Sequence, residues 1–437
     1  MITYSFTDIG SDSLYIHLYK CIKNDILQDI LHAGEKLPSK RSLAKNLNIS
    51  VITIENAYAQ LIAEGYVYSI PKKVFFVADF TSNQTSSEHF PFSIWAKLTR
   101  ELLTHNQSEL LTNPPCGGIL PLRESIAKHL KDFRNMTVSP EQIIIGAGTE
   151  YLYGLLIQLL GFDKRYAVED PGYSKISQIY ESHCILCDFV SMDSFGVNIA
   201  DLEKQNIDII HISPSHHFPT GTVMPISRRY ELLGWVAKSD MRYIIEDDYD
   251  SEYRLSGQPI PTLQSIDIQE KVIYMNTFTK TLASTIRISY MVLPKHLVNT
   301  FYSKLYFYSC TVSNFEQYIL ARFISEGYFE KHINRMRNYY HSKRDLLLHT
   351  IYNSPLAAYA TISEENAGLH FLLKLKTNLS DKEFLQRMEH SGIKLSSLSQ
   401  YYQVPPEAAE HIFIINYSFV AEENLEKAIQ MIYRALF

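Results

Sequence analysis

One lysine of this chain lies where covalent chemistry is expected. Lys280 stands in a short segment between two strand-like apolar runs, with Thr277 three residues before it and Arg287 seven residues after it. Upstream, the apolar run that starts at Ile244 ends in acidic residues that include Asp247. A lysine forms a Schiff base with an aldehyde, a carboxylate keeps a pyridine nitrogen protonated, and an arginine pairs with a phosphate. Together these residue types predict a pyridoxal phosphate site in which Lys280 forms the Schiff base.

The length and composition indicate a globular protein of two or more domains. The chain has 437 residues, of which 46% are hydrophobic and 20% charged, an ordinary balance for such proteins. No apolar run is long enough for a membrane span, the N-terminal segment lacks the order of a signal peptide, and five cysteines do not suggest a disulfide framework. We therefore expect a cytoplasmic protein. The net charge of −6 does not exclude a local nucleic-acid site.

The N-terminal part has the pattern of a small DNA-binding domain. Apolar residues recur every four positions over residues 14–26, which predicts an amphipathic helix. A second helix is predicted after Ser39, and a tight turn leads to Ser50, which caps a third helix over residues 51–64. Two short strands around a turn follow. This order predicts a winged helix-turn-helix in residues 1–78.

The helix-turn-helix geometry puts the start of the third helix into the major groove of double-stranded DNA. We expect phosphate contacts from the second helix and the wing tip, and base contacts from the exposed start of the third helix. The predicted DNA-binding residues are Ser39, Lys40, Arg41, Ser50, Ile52, Thr53, Asn56, Lys72 and Lys73. The alternative is a helical packing domain with solvated lysines.

The segment from Gly34 to Ser69 resembles the DNA-binding domain of the GntR superfamily of bacterial regulators. Its motifs are LPS-x-R at 37–41, SLA-x-x-L at 42–47, S-x-x-T at 50–53 and AY-x-x-L-x-x-EGY at 57–66. The resemblance implies operator half-sites as partners. The family often has arginine directly after the serine cap, where this chain has Val51. The family's base preference is therefore not transferable.

The rest of the chain has the pattern of a linker and an α/β domain. Residues 79–91 are polar and rich in Ser and Thr, the composition of an interdomain linker. From Phe92, short apolar runs alternate with helical patterns, which predicts a mainly parallel sheet covered by helices on both faces. From about Thr361 the pattern is that of a small C-terminal α+β subdomain. The third predicted region therefore spans residues 92–437.

This region resembles fold type I aminotransferases, which use pyridoxal 5'-phosphate. The motifs that carry the resemblance are PLRESIA from Pro121, GAGTE from Gly146, EDPGY from Glu169, PSHHFPTG from Pro214, EDDYDSEYR from Glu246 and TFTKTLASTIRISY from Thr277. The whole chain resembles the MocR subgroup of GntR regulators, in which a winged helix precedes an aminotransferase-like domain. That resemblance implies a homodimeric transcriptional regulator whose aminotransferase-like domain binds the cofactor.

The phosphate of the cofactor is expected beside a helix N-terminus. Gly148 opens a strand-to-helix turn, so that the backbone N–H groups of Thr149 and Glu150 can cradle a phosphate. Thr277 and Arg287 are expected to bind the same phosphate.

Three residues are assigned to the pyridine ring. Asp247 is assigned to its nitrogen, with Asp248, which points the other way along the strand, as the alternative. Tyr249 shares the face of Asp247 and is assigned to the phenolate oxygen. Tyr173 corresponds to the family aromatic that stacks on the ring. The neighbouring histidines are expected to line the pocket without binding a metal: His216 and His217.

One departure from the family pattern bears on the ligand. Aminotransferases hold the substrate carboxylate with an arginine of the C-terminal subdomain, whereas Ile414 stands near that position here and Asn416 replaces a glycine. Without a guanidinium an amino acid loses its main anchor. Arg335 and Arg337 are the sequence candidates for a substitute.

The sequence predicts a regulator and leaves its signal open. In one interpretation an amino compound reacts with the bound cofactor, and in the other pyridoxal 5'-phosphate is itself the signal. The missing arginine favours the second. The alternatives are an aminotransferase with an accessory N-terminal domain and a constitutive DNA binder with a relict cofactor fold.

Overall fold

The computed structural model describes most of the chain. The described residues are 4, 13–28, 31, 37–38, 40–47, 49–63, 78–81, 89–105, 107–255, 260–366, 368–405, 410–418 and 420–437. They form two compact units that divide between Phe75 and Phe76. Within these ranges, no helix is both long and apolar enough to cross a membrane.

Helices and strands are numbered in chain order. The helices are α1 Leu14–Leu27, α2 Lys40–Leu47, α3 Val51–Ala63, α4 Phe92–His105, α5 Gln107–Leu110, α6 Leu120–Arg134, α7 Thr149–Leu160, α8 Ser174–Ser182, α9 Ile199–Lys204, α10 Ile226–Val236, α11 Leu263–Ile266, α12 Lys295–Leu305, α13 Asn314–Ser325, α14 Tyr328–Tyr352, α15 Asp381–His390 and α16 Leu425–Ala435. The strands are β1 Ala78–Asp79, β2 Ile143–Gly146, β3 Tyr166–Asp170, β4 Cys187–Asp193, β5 Gly196–Val197, β6 Ile209–Ile212, β7 Tyr243–Asp247, β8 Val272–Thr277, β9 Ser289–Val292, β10 Ala360–Ser363, β11 His370–Leu375, β12 Ile393–Lys394, β13 Ser396–Ser397 and β14 Ile412–Asn416.

The described part of the first unit consists of α1, α2 and α3 around one small core. The apolar face predicted for α1 is the buried one, since Leu18 and Ile22 are fully buried. They share a core with Leu43 of α2 and with Ile54 and Leu61 of α3. Burial of this stripe stabilises helices that are too short to be stable alone.

The start of α3 is fixed by a side-chain cap. The Ser50 hydroxyl accepts a hydrogen bond from the Thr53 N–H at 3.1 Å, as the sequence predicts for this position. The Tyr58 hydroxyl donates to the Pro38 carbonyl at 3.0 Å, which ties α3 to the residues before α2. The predicted wing, at residues 66–77, lies outside the described residues.

An eight-stranded sheet forms the centre of the second unit. Its strand order is β2-β9-β8-β7-β6-β3-β4-β5. The neighbours from β8 to β4 run parallel, whereas β9 is antiparallel to β2 and β8, and β5 is antiparallel to β4. The sheet is therefore mixed, with the parallel centre that the sequence predicts.

Helices cover both faces of this sheet. Along β7, Ile244 packs into one apolar cluster and Ile245 into a different one, because successive side chains of a strand point to opposite faces. The first cluster contains Leu232 of α10, and the second contains Leu152 of α7. With both faces apolar, the polar groups of the sheet concentrate where the strands end.

The C-terminal part folds as the smaller α+β subdomain that the sequence predicts. Its antiparallel sheet has the order β10-β11-β14-β13. Residues of α14, α15 and α16 pack against this sheet in one core, which includes Tyr340, Phe384, Ile432 and Phe413.

The linker predicted over residues 79–91 is too long. β1 pairs in parallel with β12, and Phe80 is fully buried in the core of the small subdomain. The Asn416 N–H donates to the Phe80 carbonyl at 3.1 Å. At the other end, Phe90 packs against the core under α4, and residues 82–88 lie outside the described residues. A lone aromatic in a Ser/Thr-rich stretch carries no periodicity, so the pattern did not indicate its burial.

We expect Phe80→Ala to destabilise the second unit by about 3–5 kcal/mol, because it empties a fully buried position. Denaturant unfolding followed by tryptophan fluorescence measures this loss. The matched control is Phe92→Ala, since Phe92 is 66% exposed and its removal should cost less than about 0.5 kcal/mol. Equal effects of the two substitutions would contradict the packing described for Phe80.

Candidate functional site

The second unit has a cavity of about 230 Å³ at the carboxyl ends of the central strands. Its walls include Glu169 of β3, Ser213 after β6, Asp247 of β7 and Thr277 of β8. Open α/β sheets bind ligands at this edge, because the strand ends and the following loops meet there. The small subdomain contributes Asn416 of β14 and a few further residues to the same cavity.

Eight of the nine predicted cofactor-binding residues line this cavity. They are Thr149, Glu150, Tyr173, Asp247, Tyr249, Thr277, Lys280 and Arg287. The ninth, Gly148, is the residue before α7 and has a φ of 97°, which favours glycine. A Cβ atom there would lie 2.5 Å from the nearest Arg287 guanidinium nitrogen. The backbone conformation therefore favours glycine at this position, and a larger residue would also displace the Arg287 guanidinium.

Lys280 is half-buried, and its burial increases the fraction of its amine that is neutral. Removal from water lowers its pKa from 10.5 to about 8, and the negative charge of Asp250 partly opposes that shift. A neutral amine is the nucleophilic form of lysine. The cavity thus makes Lys280 more reactive toward an aldehyde near neutral pH than an exposed lysine.

Asp247 presents one carboxylate oxygen with no donor. Its Oδ2 accepts a hydrogen bond from the Tyr153 hydroxyl at 2.8 Å and lies 3.6 Å from His211 Nε2. Its Oδ1 is buried and has no hydrogen-bond partner among the described residues. Buried polar atoms are normally paired. A protonated pyridine nitrogen is a donor of the type that this oxygen lacks, so the site fits the ring of the cofactor.

Asp248 faces the opposite side of the strand, away from the cavity. It forms an ion pair with Arg134 at 2.8 Å and accepts a hydrogen bond from the Tyr274 hydroxyl at 2.6 Å. On the same side, Arg229 pairs with Glu246 at 3.3 Å. Both ion pairs are buried. Since its carboxylate is already paired there, Asp248 fits the ring nitrogen less well than Asp247 does.

The end of the cavity at the N-terminus of α7, where the phosphate is expected, contains two cationic side chains. Thr149 and Glu150 are the first residues of that helix, and Gly148 supplies no capping side chain. Arg287 and Lys175 line the cavity here, and both form ion pairs with the Glu150 carboxylate. An open helix N-terminus beside two cations fits a phosphate group.

The tyrosines predicted to contact the ring both border the cavity. The Tyr249 hydroxyl lies 3.3 Å from His216 Nδ1. Tyr173 is 46% exposed and packs edge-on against Phe218, with ring centroids 5.9 Å apart. Of the two histidines expected to line the pocket, His217 does so. His216 lies behind the wall and bonds to Asp250 at 2.8 Å.

Sequence reasoning missed several groups that surround Asp247. Tyr153 and His211 contact its carboxylate, but both stand in apolar segments where they were indistinguishable from core residues. Glu169 is buried with one oxygen 2.9 Å from the Ser213 N–H, and burial raises its pKa to about 8. Burial lowers the pKa of the adjacent His217 to about 3. The sequence signal that could have indicated a site residue was His211, a histidine near the end of an apolar strand.

The two arginines considered as substitutes for the carboxylate anchor are engaged elsewhere. Arg335 donates to the His89 carbonyl at 2.6 Å, and Arg337 donates to the Glu252 carbonyl at 2.6 Å. Neither lines the cavity. Over the described ranges, the arginine and lysine side chains that do so are Lys175, Lys280 and Arg287. The end of the cavity bordered by the small subdomain therefore has no described guanidinium.

In the first unit, several predicted DNA-binding residues lie at the start of α3. Ile52 is 69% exposed, Asn56 is exposed, and Ser50 and Thr53 form the cap. Lys40 is exposed and forms an ion pair with Glu55 at 2.6 Å. Arg41 belongs to α2. The predicted contacts Ser39, Lys72 and Lys73 lie outside the described residues.

The described residues contain no cluster of His, Cys, Asp and Glu side chains that could hold a metal ion. Their strand order, small subdomain and cavity are those of a fold type I aminotransferase, and the first unit has the helices of a helix-turn-helix. The two units therefore define a protein that combines a DNA-binding domain with an aminotransferase-like domain.

Comparison with known proteins divides the chain into the same two domains. Residues 14–77 match the family of bacterial regulatory proteins, gntR family, and residues 76–432 match aminotransferase class I and II. The chain is 35% identical over 445 residues to the uncharacterized HTH-type transcriptional regulator YdeL of Bacillus subtilis, covering 95% of each chain. It is 27% identical over 418 residues to the HTH-type pyridoxine biosynthesis transcriptional regulator PdxR of Corynebacterium glutamicum, covering 89% of each.

A solved structure extends the likeness to the fold. The crystal structure of an archaeal alanine:glyoxylate aminotransferase superposes with a TM-score of 0.73 at 23% identity, covering 92% of this chain and 96% of that one. The chain belongs to the MocR-type transcriptional regulators, in which a GntR helix-turn-helix precedes an aminotransferase class I and II domain. The predicted fold class and family are confirmed.

The lowered pKa of Lys280 predicts the pH dependence of its reaction with an aldehyde. Because only the neutral amine reacts, trapping of pyridoxal 5'-phosphate at Lys280 should rise with a midpoint near pH 8. Borohydride reduction at a series of pH values, followed by mass spectrometry of the Lys280 peptide, measures it. Asp250→Asn should move the midpoint lower, because the Asp250 carboxylate opposes the shift. A midpoint near 10.5, the ordinary lysine value, would contradict the desolvated environment.

Proposed function

We propose that this chain is a pyridoxal 5'-phosphate-responsive transcriptional regulator. In this proposal, occupancy of the cavity in the aminotransferase-like unit changes the affinity of the helix-turn-helix unit for its operator. A ligand can do this only if it binds the DNA-competent and DNA-incompetent arrangements with different affinities. We further propose that the protein acts as a homodimer, so that two helix-turn-helix units read two half-sites.

The observation that carries the proposal is the convergence of distant segments on one cavity. The start of α7, the ends of β7 and β8, and the segments around Lys280 and Arg287 all border it. The Lys280 amine, whose pKa is lowered, and the Asp247 oxygen that has no described donor lie in the same cavity. Since a structural lysine or aspartate has no need of these properties, their combination supports a cofactor site.

Pyridoxal 5'-phosphate, when bound, supplies an aldehyde that a primary amine attacks and a ring that draws electrons. Lys280 would provide the amine, and Asp247 would keep the ring nitrogen protonated. Tyr249 would donate to the phenolate oxygen, and Tyr173 would stack on the ring. The remaining predicted groups would hold the phosphate: Gly148, the backbone N–H groups of Thr149 and Glu150, and the side chains of Thr277 and Arg287.

We propose that the aminotransferase-like unit is a sensor rather than an enzyme. The small-subdomain end of the cavity is bordered by Leu369, His370, Asn416 and Ser418. The pKa of His370 is lowered well below its usual value by burial, so this side chain is uncharged near neutral pH. An amino acid would find no described cation there for its carboxylate, apart from groups at the reacting and phosphate ends. This favours pyridoxal 5'-phosphate, the vitamer, as the signal itself, and the likeness to PdxR supports the same choice.

Removal of Lys280 should abolish covalent retention of the cofactor. We expect Lys280→Ala to give no borohydride-stable adduct, and Asp247→Asn to bind the vitamer about tenfold or more weakly, because it removes the charge opposite the ring nitrogen. Absorbance titration and operator binding are measured on the same preparations. Lys295→Ala is the control, since its side chain is 73% exposed. Unchanged adduct formation by Lys280→Ala would refute the site.

The signal can be tested on the cofactor-loaded protein. If the vitamer is the signal, twenty amino acids added one at a time should leave both the absorbance of the bound cofactor and operator affinity unchanged. A clear spectral change with one amino acid, accompanied by altered operator binding, would establish an amino compound as the signal. Steady turnover with an amino acid and a keto acid, without specific DNA binding, would establish an enzyme.

Operator binding should depend steeply on salt, because cationic side chains release counterions from DNA. Arg41→Ala should weaken binding to all sequences, whereas Asn56→Ala should weaken operator binding by about 1–3 kcal/mol and leave non-specific binding nearly unchanged. Lys20→Ala, which alters a cation of α1 outside the predicted contacts, is the control. Fluorescence anisotropy on operator and scrambled DNA measures both, and no loss with Arg41→Ala would contradict the phosphate contact.

A further inference from the structure

The phosphate end of the cavity already contains an anion of the protein itself. The Glu150 carboxylate forms one ion pair through Oε1 with Lys175 and another through Oε2 with Arg287. Both cations line the cavity at the N-terminus of α7. Part of the positive charge at this end is thus offset by the protein itself before any ligand arrives.

A phosphate at this position would meet the charge of Glu150. The pKa of Glu150 is lowered by its hydrogen bond to Lys175 and by the charge of Arg287, so the group stays ionised near neutral pH. Like charges at contact distance repel strongly, and each cation has a limited number of donors. The carboxylate and a phosphate dianion therefore compete for the same partners.

The side chain of Glu150 is partly open to solvent. It is 37% exposed, and its backbone is held as the second residue of α7. A rotation about the side-chain bonds would turn the carboxylate toward water without disturbing the helix. The backbone N–H groups at the start of α7 would then face the phosphate.

We propose that Glu150 is an internal competitor of phosphate, which a phosphate monoester must displace from Arg287 and Lys175 in order to bind. This inference rests on the proposed function in taking a phosphorylated vitamer as the ligand. Glu150 weakens the binding of that ligand and so raises the concentration at which the cavity fills. A sensor of a vitamer needs such weakening, because a site that is always full reports nothing.

The alternative is that Glu150 helps phosphate to bind. If Glu150 instead holds Arg287 and Lys175 in place for the phosphate, its removal weakens binding, as loss of a positioning group does. The sign of the change in affinity therefore separates the two roles.

The test compares three ligands that differ in whether they contain the phosphate, the aldehyde or both. Pyridoxine 5'-phosphate has the phosphate without the aldehyde, pyridoxal has the aldehyde without the phosphate, and pyridoxal 5'-phosphate has both. For Glu150→Gln in the full chain, we expect the Kd of both phosphorylated ligands to fall about tenfold and that of pyridoxal to stay unchanged. Protein fluorescence and calorimetric titration measure the affinities.

Glu203→Gln is the matched control. Glu203 forms a comparable surface ion pair with Lys238, with side chains 45% and 60% exposed, and it does not line the cavity. Its affinities should equal those of the unmodified protein. Glu150→Ala repeats the test with a second side chain if Glu150→Gln fails to fold, as judged by circular dichroism.

The outcomes separate this inference from the proposed function. Unchanged or weaker binding of the phosphorylated ligands by both Glu150 variants overturns the competitor role and leaves the cofactor site intact. An equal gain for pyridoxal also overturns it, because the gain would not depend on phosphate. Failure of the unmodified protein to bind any of the three ligands overturns the proposed function and the competitor role together.

Discussion

A buried carboxylate oxygen that lacks a donor is costly, and Asp247 in the cavity of the second unit has one such oxygen. Asp247 lies at the end of a strand whose two isoleucines pack into apolar clusters on opposite sheet faces. Tyr153 satisfies one of its oxygens, and the second is left without a partner among the described residues. The parallel register of β7 with β6 and β8 fixes the place of this oxygen. A ligand that donates a hydrogen bond there removes the cost, which links occupancy of the cavity to the energy of the fold.

Much of this arrangement could be predicted because it lies at strand ends. Lys280, Arg287 and Asp247 follow or precede apolar runs whose alternation is visible in the sequence, and a parallel sheet brings such ends to one edge. Phe80 could not be predicted in the core, because its burial depends on β12 and the small subdomain, which are distant in the chain. The role of Tyr153 could not be predicted either, because only the packing of α7 against the sheet brings its hydroxyl to Asp247.

Under the proposed function, the cavity retains the part of an aminotransferase site that would hold the cofactor and lacks an anchor for a substrate carboxylate. Its reacting and phosphate ends carry Lys280, Asp247 and Arg287, whereas the end bordered by Asn416 has no described guanidinium. In an enzyme, a substrate's remote groups supply binding energy that supports the reaction. We propose that this domain, which follows a DNA-binding unit in the chain, would hold the cofactor and respond to its presence.

Two buried ion pairs next to β7 constrain which amino-acid substitutions this region can accept during evolution. Arg134 with Asp248 and Arg229 with Glu246 are buried on the face opposite the cavity. Losing one partner leaves an uncompensated charge at a cost of about 3–5 kcal/mol, a large part of the ~5–15 kcal/mol that stabilises a typical domain. Replacing both partners by apolar residues of similar volume is often neutral. Positions 134 and 248 are therefore expected to change together in evolution although they are 114 residues apart, and so are positions 229 and 246.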